Sequence, residues 1–178
     1  LTFVPLLEAV LPHCPKVERV VVMTDEWSMP QSKLPQAECY EQVLAEQSAD
    51  CQWAGLDENA ACGLCYTSGT TGDPKGVLYS HRSNFLHTLI TLQADVMGAS
   101  SRDVILTIVP MFHANAWGFP YAALISGSSL LMPDRFLQPE PILEMMAAEK
   151  PTFAAAVPTI WTGVLGALAA KPHDISHL

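Results

Sequence analysis

An α/β fold, with a mostly parallel sheet flanked by helices, is what three observations predict. Short β-branched runs alternate with segments of helical period along most of the chain. Two long stretches, Val104 to Pro133 and Pro151 to Ala170, carry no Asp, Glu, Lys or Arg, as strands and helices buried within a parallel sheet do. A loop rich in glycine and hydroxyls directly follows a strand-like run. At 178 residues the chain fits a single α/β subdomain spanning 1–178, long enough to bury roughly 70% of its unfolded surface.

The elements run in order along the chain. Arg19 to Thr24 (RVVVMT) is a β-branched strand, and Tyr40 to Ser48 reads as a helix. Ala61 to Thr67 is a second strand, and Val77 to Tyr79 a short third, so the glycines between them sit in a strand-loop-strand hairpin. Ser80 or Ser83 can cap the next helix, whose apolar positions Phe85, Leu86, Leu89, Ile90 and Val96 follow helical spacing. Val104 to Val109 is a strand, and Asn115 to Ile125 a helix opened irregularly by the turn from Pro110 to His113. Ser129 to Met132 is a strand ended by Pro133. Pro139 to Ala148 is a helix with proline in its first turn, where a missing N–H costs least. Thr152 to Ala156 is a strand and Thr159 to Ala169 the last helix. Trp27 to Pro35 and Gln47 to Asn59 read as surface loops.

Composition narrows the class. The chain is 49% hydrophobic and 15% charged, poor in charge for a free-standing domain. Some apolar surface is therefore expected to meet another domain or a ligand. The abrupt ends suit a fragment of a longer protein. A net charge of −9 argues against nucleic acid, whose binding depends on Lys and Arg neutralising phosphates. A nucleotide is still admissible, because a few oriented amides set the local field. Five cysteines without framework spacing suit reduced thiols in the cytoplasm. Cys62 and Cys65 form a CxxC pair, but three residues apart on a strand they point to opposite faces, and no second pair follows at zinc spacing. The two charge-free runs exceed the ~18 residues that raise a transmembrane question. Interruptions by Pro110, Pro120, Pro158 and several polar residues favour a buried α/β core instead.

The chemistry lies in Tyr66-Thr67-Ser68-Gly69-Thr70-Thr71-Gly72-Asp73-Pro74-Lys75-Gly76-Val77. Residues 67–76 hold three glycines, four hydroxyls and one lysine. Glycines let successive N–H groups turn toward one point and make an anion nest. The hydroxyls at 67, 68, 70 and 71 can donate to phosphate oxygens or turn a lone pair to a metal, and Lys75 adds a mobile positive charge. The combination asks for a polyphosphate. A Walker A loop it is not, since Lys75 precedes Gly76 and a strand rather than opening a helix.

This string resembles the phosphate-loop signature of the adenylate-forming superfamily, which includes acyl-CoA synthetases, luciferases and peptide-synthetase adenylation domains. Val109-Pro110-Met111-Phe112-His113-Ala114-Asn115-Ala116-Trp117-Gly118 resembles the family's next motif, at fitting distance. From Ala61 to Trp161 the likeness is strongest to medium- and long-chain fatty acyl-CoA synthetases, carried by Asn115-Ala116-Trp117 and by Ala156-Val157-Pro158-Thr159-Ile160-Trp161. The resemblance implies a subdomain of the large N-terminal domain of such an enzyme, with N-terminal elements, adenine and ribose motifs and the C-terminal domain absent.

The same resemblance implies a reaction and a role for each matching residue. ATP and a fatty acid give acyl-AMP, and coenzyme A then displaces AMP. By that likeness Ser68, Gly69, Thr70, Thr71, Gly72 and Lys75 hold the β- and γ-phosphates, and Thr67 helps ligate Mg²⁺. His113 stands beside the carboxylate and α-phosphate, so His113 and Lys75 are the catalytic candidates. Ala114 lies near the nucleotide, and Trp117 matches the aromatic gate to the acyl chain, although a core aromatic one helical turn from Tyr121 reads equally well. His81 and Arg82 brace the helix beyond them. Ala154, Ala155 and Ala156 line an acyl tunnel or simply pack closely. The isolated chain is expected to catalyse neither half-reaction. The parent is expected to be cytoplasmic, and a homodimer is compatible with the likeness.

Rivals are fewer. No serine is flanked as in G-x-S-x-G, and no H-E-x-x-H occurs. A non-catalytic nucleotide-binding or interaction module that kept the loop, or a ligase for another acid, fits the segment as well.

Overall fold

The computed structural model describes residues 2–67 and 72–178. Where the sequence reads as one subdomain, the chain divides into two compact units, Leu1–Ala54 and Gly55–Leu178. In the first, α1 (Val4–Val10) begins at a proline in its first turn. Strand β1 (Val20–Val22) pairs in parallel with β2 (Ala37–Cys39), and α2 (Tyr40–Ala45) comes directly after it. Arg19 and Glu38 form a two-pronged ion pair beside this ladder, Nε to Oε1 at 2.8 Å. Helix α1 and strand β2 are not legible in the sequence. Strand β2 (AEC) is three residues long and carries no β-branched residue.

The second unit holds the motifs. Strand β3 (Ala61–Thr67) pairs antiparallel with β4 (Lys75–Ser80), from Thr67 opposite Lys75 at the loop end to Ala61 opposite Ser80 at the other. The expected hairpin is therefore present, with a register shift between Ala61 and Gly63. Helix α3 (His81–Thr91) starts at a reciprocal cap. The Ser83 amide donates to Ser80 Oγ at 3.1 Å and the Ser80 amide to Ser83 Oγ at 3.0 Å, so both candidate serines act together.

Three parallel strands form a second sheet in the order β6 (Ser129–Leu131), β5 (Val104–Thr107), β7 (Phe153–Ala155). Central β5 presents alternate residues to two cores. Leu106 meets Ile142, Leu143, Met146 and Val164, contributed by α6 (Pro139–Glu149) and α7 (Pro158–Ala170). Ile105, on the opposite face, packs with Phe119, the first residue of α5 (Phe119–Ser126). The Phe119 and Phe153 rings stand 5.3 Å apart, tilted by 58°. Parallel pairing with helices alongside agrees with the predicted class.

Two expectations are corrected here. The segment from Asn115 to Ile125 is not one helix. Gly118 at φ +80 divides it into the single turn α4 (Ala114–Trp117) and α5. The apolar positions of α3 are also not its buried face: Phe85 and Ile90 are 55% and 57% exposed, while Thr88 and Thr91 are buried. Helical spacing identifies the apolar stripe correctly, but within this chain nothing covers it among the described residues.

At the N-terminal end of the three-stranded sheet one carboxylate ties the strands. Asp103 accepts from the Ser100 amide at 2.7 Å, the Ser100 hydroxyl at 2.8 Å and the Thr152 hydroxyl at 2.9 Å. Thr152 Oγ1 in turn accepts from the Val104 amide, and the Asp103 carbonyl accepts from the Ser129 amide. Starts of β5, β6 and β7 thus meet at one residue. Hydrogen bonds from the Ser100 hydroxyl, the Ser100 amide and the Thr152 hydroxyl hold the Asp103 carboxyl below its ordinary pKa.

Candidate functional site

Two short segments build the site, and a strand hairpin positions the first. Thr67 ends β3 and Lys75 opens β4, and the two face each other in register across the mouth of the loop. Thr67 Oγ1 donates to the Lys75 carbonyl at a long 3.4 Å. Both side chains are exposed, and Gly72 adopts φ +153, outside the conformations open to most L-residues. Ser68, Gly69, Thr70 and Thr71 lie outside the described residues.

The second segment is the turn after β5. The His113 amide donates to the Pro110 carbonyl at 3.0 Å, and Ala116 and Gly118 donate in the same i to i+3 manner to His113 and Asn115. Ala114, Asn115, Ala116 and Trp117 then all have positive φ, at 45°, 51°, 51° and 55°. Asn115 and Ala116 both have ψ 43°, so α4 is a turn of left-handed helix. Such geometry costs about 1–2 kcal/mol per residue for side chains with a Cβ, less for Asn. Backbone strain of this size persists where surrounding packing over-determines it, and it concentrates at functional sites.

Packing supplies that determination. Ala116 is fully buried, and Trp117 leans on the cluster of Ile105 and Phe119. A methyl on Gly118 would fall 2.7 Å from His87 Nδ1, so the backbone passes this imidazole as closely as glycine allows. Asn115 reaches the hairpin: its Oδ1 accepts from the buried Cys65 thiol at 3.2 Å.

A cleft of about 510 Å³ opens between α3 and the turn, with Ala114, Asn115, Trp117 and Gly118 on one side and Ser83, Asn84, His87 and Ile90 on the other. Tyr121, Val96 and Met97 extend its apolar wall. A neighbouring cleft of about 420 Å³ lies between α3 and α5, lined among others by Cys62, His81, Phe85, Tyr121 and Leu124.

The structure therefore joins Ala114 and Trp117 in one cleft, and Thr67 and Lys75 at one loop mouth. His113, immediately before the turn, is exposed and is not among the residues lining either cleft. Trp117 is at once partly buried core and cleft wall. Arg82 braces as expected, pairing with Glu58 at 2.8 Å, and the His81 amide donates to the Ala60 carbonyl. Ala154 and Ala156 pack against the Leu106 cluster and Ala155 against that of Phe119. All three are half-buried. Sequence reasoning misses His87 and Asn84, two of the polar side chains that α3 presents to the cleft. The spacing His87, Thr91 and Asn84, Thr88 marks a polar stripe that could reveal them. All five cysteines are free thiols. Among the described residues no group of three or more His, Cys, Asp or Glu could hold a metal, and no helix is long and apolar enough to cross a membrane.

A strand hairpin around a phosphate-loop sequence, followed by a parallel sheet with helices alongside, agrees with the adenylate-forming class. Residues 3–178 match the family model described as AMP-binding enzyme. The chain belongs to that family. It is 44% identical over 177 residues to 3-methylmercaptopropionyl-CoA ligase of Ruegeria pomeroyi, covering 99% of this chain and 33% of that protein. Identity is 42% over 168 residues to medium-chain-fatty-acid–CoA ligase of Ectopseudomonas oleovorans, 94% of this chain and 31% of that protein. It is 40% over 174 residues to long-chain-fatty-acid–CoA ligase of Thermus thermophilus, 98% of this chain and 30% of that protein. Among solved structures, anthranilate CoA ligase AuaEII in complex with anthranoyl-AMP superposes with TM-score 0.80 at 26% identity, over 99% of this chain and 33% of that one. The chain thus spans about a third of the length of the curated relatives it matches.

Proposed function

We propose that this chain is the phosphate-loop and acyl-site portion of an ATP-dependent fatty acid–CoA ligase of the cytoplasm. The carboxylate oxygen attacks the α-phosphorus of ATP, pyrophosphate leaves, and the coenzyme A thiol then attacks the acyl carbonyl and displaces AMP. The observation that carries this reading is the hairpin mouth. Thr67 and Lys75 stand opposite one another, and the glycine- and hydroxyl-rich residues run between them in sequence.

In this reading Ser68, Gly69, Thr70, Thr71 and Gly72 supply donors to the β- and γ-phosphates, and Lys75 offsets the charge that develops on departing pyrophosphate. The Thr67 hydroxyl, engaged only at 3.4 Å, would fit as one oxygen ligand of a Mg²⁺ ion. When bound, the ion draws charge from the phosphate oxygens. His113, open to solvent, donates a hydrogen bond to the incoming acid. Trp117 controls entry of the acyl chain along the cleft it lines, with Ala114 beside the nucleotide.

A medium- or long-chain aliphatic acid is the substrate we favour, supported by the similarity to the two fatty acid ligases. A short thioether acid is a second reading, favoured by the 44% identity to 3-methylmercaptopropionyl-CoA ligase. ATP–pyrophosphate exchange by the full-length protein, measured across aliphatic acids of graded length and 3-methylmercaptopropionate, separates the two. Exchange rising with chain length supports the first, and a maximum at the thioether acid the second. Absence of exchange with every acid of this set would end both readings and leave a nucleotide-binding module or a ligase for another acid.

A further inference from the structure

Cys65 and Asn115 are separated by 50 residues in sequence, yet the Cys65 thiol donates to Asn115 Oδ1 at 3.2 Å. Among the described residues this is the one side-chain hydrogen bond between β3 and the left-handed turn. It occupies a central place in both motifs: Cys65 precedes Thr67 by two residues, and Asn115 lies two after His113 and two before Trp117. The amide nitrogen is also close to the strand. A Cβ placed on Gly63 would lie 3.8 Å from Asn115 Nδ2, so the side chain rests on the strand over two residues of the same face.

The choice of residue matters in two ways. Asn is among the few non-glycine residues that enter the left-handed region readily, and position 115 is held at φ 51°, ψ 43°. Its carbonyl oxygen can also take the only hydrogen bond a buried thiol offers. Cys65 is the one buried residue of β3, so the thiol end of the bond is largely withdrawn from water.

We propose that Asn115 is a positioning residue, a tether that fixes the turn bearing His113 and Trp117 relative to the strand that runs into the phosphate loop. This inference rests on the ligase reading above. Forming acyl-AMP requires a carboxylate oxygen and the α-phosphorus to meet in line, and misplacement of about 1 Å can cost on the order of 100-fold in rate. A single tether between the two segments sets that distance through the backbone of the turn.

The test is ATP–pyrophosphate exchange by the full-length protein with its best acid, comparing Asn115→Gly, Cys65→Ala, Cys65→Ser and the double variant Asn115→Gly/Cys65→Ala. Glycine at 115 keeps the left-handed backbone and removes only the amide, so the turn is not lost with the tether. Expected is a fall in kcat of about 10-fold for Asn115→Gly, with KM for ATP within about 2-fold, the size of one lost hydrogen bond. Cys65→Ala should fall in the same direction, and Cys65→Ser, whose hydroxyl can donate to Oδ1, should return to within about 2-fold of wild type. The double variant should be no slower than Asn115→Gly alone. Independent, multiplying losses, a serine variant as impaired as alanine, or a change confined to KM would each overturn the tether. A wild-type protein that exchanges with no acid overturns the ligase reading and this inference with it, whereas an active wild type with unmoved variants overturns the inference alone.

Discussion

Gly118 meets two demands that favour a residue without a side chain. Its φ of +80 lies in the left-handed region, and a Cβ would stand 2.7 Å from His87 Nδ1. Gly118→Ala should therefore destabilise the protein by about 1–2 kcal/mol from the backbone alone, with a further loss as the imidazole is displaced. Adding His87→Ala should recover the steric part and leave the backbone part. Urea unfolding of the two single variants and the double variant separates the components, and full recovery in the double variant would show that backbone conformation contributes nothing. In the proposed reading Lys75 is the residue that offsets charge on the departing phosphates. Lys75→Met should lower kcat/KM for ATP in pyrophosphate exchange by about 10- to 100-fold, as expected for one charge-assisted contact of about 1.5–3 kcal/mol. A change below about 2-fold would place the triphosphate elsewhere.

At the scale of elements, Asp103 gathers the starts of β5, β6 and β7. Its carboxyl is held below the ordinary value by Ser100 and Thr152, so the unfolded chain takes up a proton before the folded one as pH falls. The stabilisation is complete above the unfolded value near pH 4 and is lost as pH drops through the lower folded value. Wild-type stability contributed by this clamp should be flat from about pH 7 to about 5 and decline below about 4. Asp103→Asn should be less stable at about pH 7 by about 1–3 kcal/mol, because three donors lose a charged acceptor, and its difference from wild type should shrink toward about pH 3. Thermal melts across that range check this, and a difference that widens on acidification would reverse the assigned sign. Element content is readable where residues have strong local preference. Strand β3 is legible from end to end, and Pro139 marks the start of α6. The left-handed turn is not, because Ala-Asn-Ala-Trp has helical composition, and its conformation is imposed by the burial of Ala116, the His87 contact and the Asn115 tether. The loop at 67–76 stands out in the sequence by its glycines, hydroxyls and lysine, and the structure describes its facing ends, Thr67 and Lys75. The cleft is only half legible, since its second wall comes from α3, whose polar stripe carries no motif.

Across the whole chain, apolar surface remains uncovered. Leu64, Tyr66 and Leu78 on the hairpin are 54%, 65% and 65% exposed, Phe85 and Ile90 on α3 55% and 57%, and Leu124 on α5 84%. Monomeric domains seldom leave so many large apolar side chains on neighbouring elements in water, and each would contribute about 1.5–3 kcal/mol if buried. The low share of charge in the sequence points the same way. Phe85 and Leu124 line the cleft between α3 and α5, and Ile90 lines the one beside the turn, so part of the uncovered surface belongs to the candidate site. It follows that the 178-residue chain taken by itself should bind an environment-sensitive apolar dye strongly and form no acyl-CoA from ATP, acid and coenzyme A. The full-length protein should bind the dye several-fold less per molecule while showing exchange. Equal dye binding by the two would mean that the hairpin and α3 face solvent, or an external partner, in the working protein. Acyl-CoA formation by the short chain would show that the hairpin and the strained turn suffice for catalysis without further polypeptide.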